Sequence, residues 1–258
     1  MKAFLVAALL FAGCPCLWPQ DALPVATAAI NTAGGSPTIA PNTWIEIHGS
    51  NLSPTTADWS TWNFSGGLPT SLGGVSATVN NKPAVISYIS PTQINVLAPL
   101  DTAAGSVPVQ VTTPSGESTP LNATEQSTSP GFLVVDTAGH VAARHMDYSL
   151  LGDASLSIPG YPFTPAQPGE TVLLYATGFG QTDPPMTDQS SGTGALPTWP
   201  SVTVGGLPAF VTYAGVAAPG LYQFNVALPL AAPNGDLTLS ATYNGNRTQA
   251  GVVIAVQQ

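Results

Sequence analysis

Residues 93–100, QINVLAPL, recur at residues 223–230 as QFNVALPL. A second pair of blocks precedes them in the same order, with KPAVISY at residues 82–88 and LPAFVTY at residues 207–213. Between its two blocks the second copy carries five extra residues, around positions 215–220. Related segments that keep their order along a chain indicate an internal duplication. The sequence therefore predicts two tandem domains.

Within each copy the residue pattern is that of short β-strands. Residues 75–79, VSATV, alternate apolar and small polar side chains, as a half-buried strand does. Asn80-Asn81 follows this run, and Gly205-Gly206 follows the corresponding run of the second copy. Both dipeptides tolerate the positive φ that a two-residue type I′ hairpin requires. Short strands separated by frequent turns predict an all-β fold made of two β-sandwiches.

The charge balance excludes several classes of partner. The chain has four Lys and Arg residues against thirteen Asp and Glu, which gives a formal net charge of -9. Nucleic acids and anionic lipid surfaces are bound by clustered basic side chains, so neither is expected as a partner. The sequence contains no phosphate-cradling glycine loop before a helix, and no cofactor is expected.

The first twenty residues predict export. Lys2 precedes an apolar run at residues 3–13, which is too short to cross a bilayer but suits a signal peptide. We expect a signal peptide over residues 1–20, ordinary cleavage near Asp21, and a protein that is secreted, periplasmic or on the outer surface. The alternative is a lipid anchor on Cys14, because the preceding residues resemble the end of a bacterial lipobox, although a phenylalanine replaces its usual aliphatic residue. No later segment is apolar for long enough to form a transmembrane helix.

The two predicted domains, residues 21–124 and 125–258, each resemble a known family. Residues 47–52, IHGSNL, are typical of the opening of an IPT/TIG-type immunoglobulin-like domain. Residues 168–180, PGETVLLYATGFG, and residues 220–226, GLYQFNV, are similar to the uncharacterised Solibacter-type C-terminal domain of exported acidobacterial proteins. These resemblances imply two tandem immunoglobulin-like (IPT/TIG, E-set-like) sandwiches and transfer no catalytic residue.

Three aromatic residues form the candidate ligand-binding loop. Trp59, Trp62 and Phe64 lie in a Ser- and Thr-rich insertion that the second copy lacks. Exposed rings at this position would stack on sugars or peptides. The competing interpretation, which we favour, is that at least one ring packs against the end of the sandwich.

Two polar groupings are interpreted as structural. Gln93 and Asn95 recur as Gln223 and Asn225, and strand alternation places each pair on one face. We expect these amides to hydrogen-bond loop backbone rather than to line a groove, since half-buried amides need partners.

The second grouping contains three residues with metal-binding side chains, His140, His145 and Asp147. A metal site at these residues is conceivable, but a tight site needs three or four ligands brought together. We favour a hydrogen-bonded pair of His145 and Asp147, and we predict no metal site.

These observations predict a non-enzymatic protein. The sequence has no Gly-x-Ser-x-Gly elbow and no His-Glu-x-x-His motif. The predicted function is an exported module with a binding, adhesion or spacer role, whose partner is an unidentified protein or polysaccharide at the cell surface. The alternative is a carbohydrate-binding protein that uses the Trp59/Trp62 loop. A secreted hydrolase is the remote alternative.

Overall fold

The computed structural model describes residues 22–258 except 63, 64, 66, 102, 188 and 190–193. These residues form strands, turns and two 3-10 turns, Trp59–Thr61 and Ala154–Leu156. The strands of the first half are β1 (Val25–Asn31), β2 (Thr38–Ile39), β3 (Trp44–Ser50), β4 (Ala57–Asp58), β5 (Ser71–Leu72), β6 (Val75–Val79), β7 (Lys82–Pro83), β8 (Val85–Ile89), β9 (Gln93–Leu97), β10 (Gly105–Thr113), β11 (Gly116–Glu117) and β12 (Leu121–Glu125). Those of the second half are β13 (Gly131–Phe132), β14 (Ala143–His145), β15 (Leu150–Leu151), β16 (Phe163–Thr164), β17 (Thr171–Thr177), β18 (Gly194–Ala195), β19 (Ser201–Val204), β20 (Leu207–Ala218), β21 (Leu221–Ala227), β22 (Gly235–Tyr243), β23 (Asn246–Arg247) and β24 (Val253–Val256).

Strands β1–β12 form the first sandwich. Its front sheet has the order β1-β3-β9-β8-β4, and its back sheet has the order β2-β12-β10-β6-β5. Alternate residues of these strands point inward and are buried, as in the i-B-i-B pattern of β9. The resulting core is aliphatic and includes Ile45, Ile47, Ile86 and Ile94, all fully buried.

Strands β13–β24 form the second sandwich, which has its own core. Its front sheet runs β16-β15-β14-β17-β21-β20, and its back sheet contains β19, β22, β23 and β24. Strand β20 belongs to both sheets, because residues 207–209 pair with β19 whereas residues 210–218 pair with β21. The core is aromatic as well as aliphatic, and Phe179 packs against Phe224 with ring centroids 4.6 Å apart.

The register of the strands shows the duplication in three dimensions. In the first front sheet Glu46 of β3 lies opposite Asn95 of β9, and in the second front sheet Leu173 of β17 lies opposite Asn225 of β21. The predicted I′ turns are confirmed, since Asn80-Asn81 and Gly205-Gly206 all have φ between 48° and 80°. The all-β, two-sandwich prediction is therefore confirmed.

Two sequence predictions concern residues outside the described ones. The first is the signal peptide over residues 1–20, which includes Cys14, and the second is the place of Phe64 in the candidate ligand-binding loop. Within the described ranges, no helix has the length and apolar character needed to cross a membrane.

Candidate functional site

The front sheet of the first sandwich carries a β-bulge with an outward polar cluster. The register between β8 and β9 shifts between Ile86 and Tyr88, which leaves Ser87 unpaired. The Ser87 hydroxyl donates to the Asn95 carbonyl oxygen at 3.3 Å. Tyr88 lies directly opposite Asn95, so the bulge brings a phenol and an amide together on the sheet.

The second front sheet repeats this arrangement at the corresponding position. Between β20 and β21 the register shifts between Val211 and Tyr213, and Thr212 is the unpaired residue. Its hydroxyl donates to the Asn225 carbonyl oxygen at 3.1 Å, and Tyr213 lies opposite Asn225. A bulge of the same kind with a hydroxyl residue at the same place shows that the duplicated sequence preserved this outward face as well as the core.

The repeated amides bond each other. The Gln93 side-chain nitrogen donates to the Asn95 side-chain oxygen at 2.8 Å, and Gln223 donates to Asn225 at 2.9 Å. The expectation that each pair shares one face is confirmed, whereas the expectation that the side chains bond loop backbone is wrong. All four residues are half-buried on the outward face. The glutamine oxygen and asparagine nitrogen of each pair have no protein partner among the described residues, so they can bond a ligand.

A groove of about 480 Å³ lies on the second sandwich and includes Leu221 of β21, the strand that carries the amide pair. Arg144, Tyr148, Phe163 and Tyr175 line it together with aliphatic side chains. Tyr175 lies opposite Gln223 in the sheet, so the groove continues toward the repeated polar cluster. Sequence reasoning missed this groove, because its residues come from five strands, β14, β15, β16, β17 and β21, and from the loops beside them.

His145 and Asp147, two of the three residues with metal-binding side chains, form hydrogen bonds with other partners and not with each other. His145 Nδ1 lies 2.6 Å from Glu170 Oε1, whereas the Asp147 carboxylate accepts from Ser149 at 2.6 Å. The hydrogen bonds from Ser149 hold the pKa of the Asp147 carboxyl below its usual range. The expected pairing of His145 with Asp147 is therefore wrong.

His140 lies in a separate cluster. Its Nδ1 is 2.7 Å from Asp136 Oδ2, and its Nε2 is 3.3 Å from Asp236 Oδ1. Burial by itself would lower the pKa of His140, but the hydrogen bonds and charges of the two aspartates outweigh burial and raise it. No group of three or more metal-binding side chains is found within the described part of the chain.

The tryptophan loop is attached to the first sandwich. The Trp59 ring meets Trp44 edge-on, with centroids 5.4 Å apart and an interplanar angle of 88°. Trp62 donates its indole N–H to the Gly67 carbonyl at 3.1 Å, yet its side chain is 39% exposed. Trp62 therefore keeps an accessible ring surface, whereas Trp59 supports Trp44.

The five extra residues of the second copy form part of the junction between the sandwiches. They lengthen the β20–β21 hairpin, and its tip at Pro219-Gly220 contacts the first sandwich. The Trp44 indole donates to the Pro219 carbonyl at 3.0 Å, and the Gly220 N–H donates to the Asn42 side-chain oxygen at 3.3 Å. Gly220 has φ +69° and a Cβ there would lie 2.6 Å from the Trp44 ring, so this close approach favours glycine.

The segment that connects the sandwiches is also held from both sides. Asn31 of β1 donates to the Ser129 carbonyl at 2.6 Å, and the Ser129 N–H donates to the Gly178 carbonyl at 2.8 Å. Asn246 donates to the Thr128 hydroxyl oxygen at 2.8 Å. Thr128, Ser129 and Asn31 are all buried, so this connecting segment is a packed part of the junction.

Tyr222 joins the second core to this junction. Its buried hydroxyl donates to the Gly180 carbonyl, and the Asn42 amide nitrogen lies 3.4 Å from the hydroxyl oxygen of Tyr222.

We expect Tyr222→Phe to lower the free energy of unfolding by about 1–3 kcal/mol, because a buried carbonyl and a buried amide lose their shared partner. Urea denaturation would measure this change. Tyr213→Phe, at an outward position, is the control and should change it by less than about 0.5 kcal/mol.

Comparisons with known proteins support the fold of the first half. Residues 32–127 match the IPT/TIG domain family. The first resemblance is thereby confirmed, while the Solibacter-type resemblance of the second half stays a prediction. No curated protein matches the chain.

Three solved structures align with most of the chain at low similarity. The plexin A4 extracellular region has 12% identity over 91% of this chain, with a TM-score of 0.30. SGBP-B from a xyloglucan utilization locus of Bacteroides uniformis has 17% identity over 90%, with a TM-score of 0.25. Gamma-CGTase from Alkalophilic bacillus clarkii has 13% identity over 93%, with a TM-score of 0.29. The chain spans 18%, 49% and 27% of these proteins respectively, and similarity at this level carries no information about ligand or activity.

Proposed function

We propose that this chain is an exported, non-catalytic binding protein whose two sandwiches present the outward faces of their front sheets to a polysaccharide. One observation carries the proposal, namely the cluster of tyrosine, glutamine and asparagine that recurs on both front sheets. Half-exposed amides with free donor and acceptor groups contribute little to a core. They can, however, bond the hydroxyl groups of a sugar.

The proposal includes the organisation and location of the chain. Residues 21–124 and 125–258 are its two domains, residues 1–20 are a signal peptide, and the protein acts outside the cytoplasm. Cys14 is the place of a lipid anchor if the chain is processed as a lipoprotein. The exposed face of Trp62 provides a second contact surface for sugar rings.

A retention experiment tests this function. Purified protein would be incubated with insoluble cellulose, chitin, xylan and cell-wall sacculi, and the bound fraction would be measured. We expect retention on at least one material and at least a fivefold loss of affinity in the variant Tyr213→Ala/Gln223→Ala. The control variant is Thr203→Ala/Ser240→Ala, which removes a bonded hydroxyl pair from the back sheet.

Two results would contradict the proposal. One is the absence of retention on every material, and the other is equal retention by the front-sheet variant and the wild type. Circular dichroism spectra and urea midpoints of both variants must match those of the wild type, so that a loss of binding is not a loss of folding. A Trp62→Ala variant measured in parallel tests the contribution of the tryptophan loop.

A spacer role is the second candidate function, and the junction favours it. Asn31 and Trp44 donate, and Asn42 accepts, the buried and half-buried hydrogen bonds that tie the sandwiches together at several points. Such a junction resists bending, as a spacer must. We therefore expect the maximum dimension of the protein, measured by small-angle X-ray scattering, to be the same at low and at high salt.

A further inference from the structure

The groove of the second sandwich has an apolar lining with a single charge. Its walls contain Leu133, Leu150 and Leu221 together with the rings of Phe163 and Tyr175. Among the described residues that line it, Arg144 alone is charged. A groove of this composition favours a ligand that combines an apolar ring face with a negative charge.

Arg144 is available for such a charge. Lys82 pairs with Asp101 at 3.2 Å, whereas no carboxylate of the described residues lies within 4 Å of the Arg144 guanidinium. Arg144 donates one hydrogen bond, from Nη1 to the Tyr148 carbonyl at 2.7 Å. A guanidinium has five N–H donors, so most of its capacity remains for a ligand.

Tyr148 stands at the rim of the groove in a costly conformation. Its φ is +67°, in the left-handed region that non-glycine residues other than Asn and Asp rarely adopt. Bonds from its N–H to the His145 carbonyl and from Arg144 to its own carbonyl hold it there. Tyr148 is 62% exposed, so its aromatic side chain is accessible to solvent at the rim of the groove.

The polar groups around the groove suit a sugar better than a purely apolar ligand. The Tyr148 and Tyr175 hydroxyls have no hydrogen-bond partner among the described residues, and the half-bonded Gln223 amide lies next to Tyr175. Aromatic rings with hydroxyl and amide groups at their edges match a pyranose, which has an apolar face and a polar rim. The nearby carboxylates of Asp147 and Glu170 are bonded to Ser149 and His145 and line a separate depression.

We propose that this groove binds a uronic-acid residue of an acidic glycan. The carboxylate pairs with Arg144, the pyranose ring packs on the aromatic side chains, and the sugar hydroxyls bond Tyr148, Tyr175 and the free groups of Gln223. This inference rests on the proposed polysaccharide-binding function and names its ligand class.

Binding to soluble oligosaccharides of galacturonate, glucuronate and mannuronate tests the proposal by calorimetry. We expect the wild type to bind at least one of them, with an affinity that falls as salt is raised, because an exposed ion pair is screened. The methyl ester of the same oligosaccharide should bind at least tenfold more weakly, since it keeps the ring and loses the charge. Arg144→Gln should lose at least tenfold in affinity for the acid and bind the acid and its ester equally.

Arg247→Gln is the matched control, because it removes a cation that bonds Ser240 on the back sheet and should leave binding unchanged. Tyr175→Phe keeps the ring and should reduce affinity by about threefold to tenfold through one lost hydrogen bond. Binding of the methyl ester as tightly as the acid, or full affinity in Arg144→Gln, would overturn the proposal. Retention on neutral polysaccharides without any binding of the three acids would overturn this inference alone. Absence of binding to every glycan would overturn the proposed function as well.

Discussion

Gly178→Ala is expected to lower the free energy of unfolding by more than about 3 kcal/mol. Gly178 has φ +80°, where an L-residue with a Cβ costs roughly 1–2 kcal/mol. The larger part of the effect is steric, because the added Cβ would overlap the carbonyl group of Ser129 and lie 3.2 Å from Asn31 Nδ2. The connecting segment would have to move, and the hydrogen bond from Asn31 to Ser129 would break.

Gly206→Ala separates the two contributions. Gly206 has φ +79°, almost the same as Gly178, but a Cβ there would meet nothing within 4 Å. It should therefore cost only the conformational part, roughly 1–2 kcal/mol. Urea denaturation followed by tryptophan fluorescence would measure both variants. Equal losses in the two variants would mean that the overlap between the added Cβ and the Ser129 carbonyl costs no stability, which would contradict the steric part of this prediction.

Glu125→Gln is expected to stabilise the protein at pH 8 by about 1–3 kcal/mol relative to its effect at pH 4.5. Glu125 ends β12 at the junction, is 1% exposed, and neither carboxylate oxygen has a hydrogen-bond partner among the described residues. Burial, with a smaller contribution from the negative charge of Asp101, raises the pKa of Glu125 to about 7, although Lys82 opposes this shift. Glutamine has nearly the same shape and no charge to bury.

The direction of the pH effect follows from this raised pKa. The folded protein binds the proton of Glu125 more tightly than the unfolded chain does, whose glutamate has the ordinary pKa of 4.5. Stability from this residue is therefore fully present below pH 4.5 and is lost as the pH rises to about 7. The other carboxylates titrate in both proteins, so the difference in free energy of unfolding between wild type and Glu125→Gln reports Glu125 together with its interactions with Asp101 and Lys82.

Glu117→Gln is the control for this measurement, because it removes a negative charge at an exposed position. Urea denaturation of the three proteins at pH 4.5, 6, 7 and 8 gives the required curves. A difference between wild type and Glu125→Gln that stays constant over this range would contradict the assignment. So would an equal pH-dependent difference for Glu117→Gln.

Local sequence patterns predicted the strands and turns well. Alternation in residues 75–79 marks β6, and the dipeptides Asn80-Asn81 and Gly205-Gly206 mark the two hairpins, because φ preference and strand periodicity act over two to five residues. The aligned blocks also placed Tyr88 and Tyr213 at the same position. That alignment was a signal for the repeated outward cluster, although the partners of the amides were predicted wrongly.

The candidate groove could not be found in this way. Arg144 and Phe163 lie on strands that meet only in the folded sheet, and Tyr148 takes a left-handed conformation that no local motif announces. The one signal was compositional, since Arg144 is one of four basic residues in a chain with thirteen acids. An uncommon basic residue such as Arg144 indicates a binding site only when its distance from aromatic side chains is known, and the sequence does not give that distance.

By itself, the sequence determined that this chain is a duplicated all-β protein with two sandwiches, since repetition and periodicity are local properties of the chain. Only the tertiary structure decided how the sandwiches are joined. The five residues inserted near 215–220 look like a longer loop in the sequence, but in the fold they bring Gly220 against Asn42 and Trp44. That contact joins positions more than 170 residues apart. Its strength depends on burial and on matched donors and acceptors, which exist only after both sandwiches have folded.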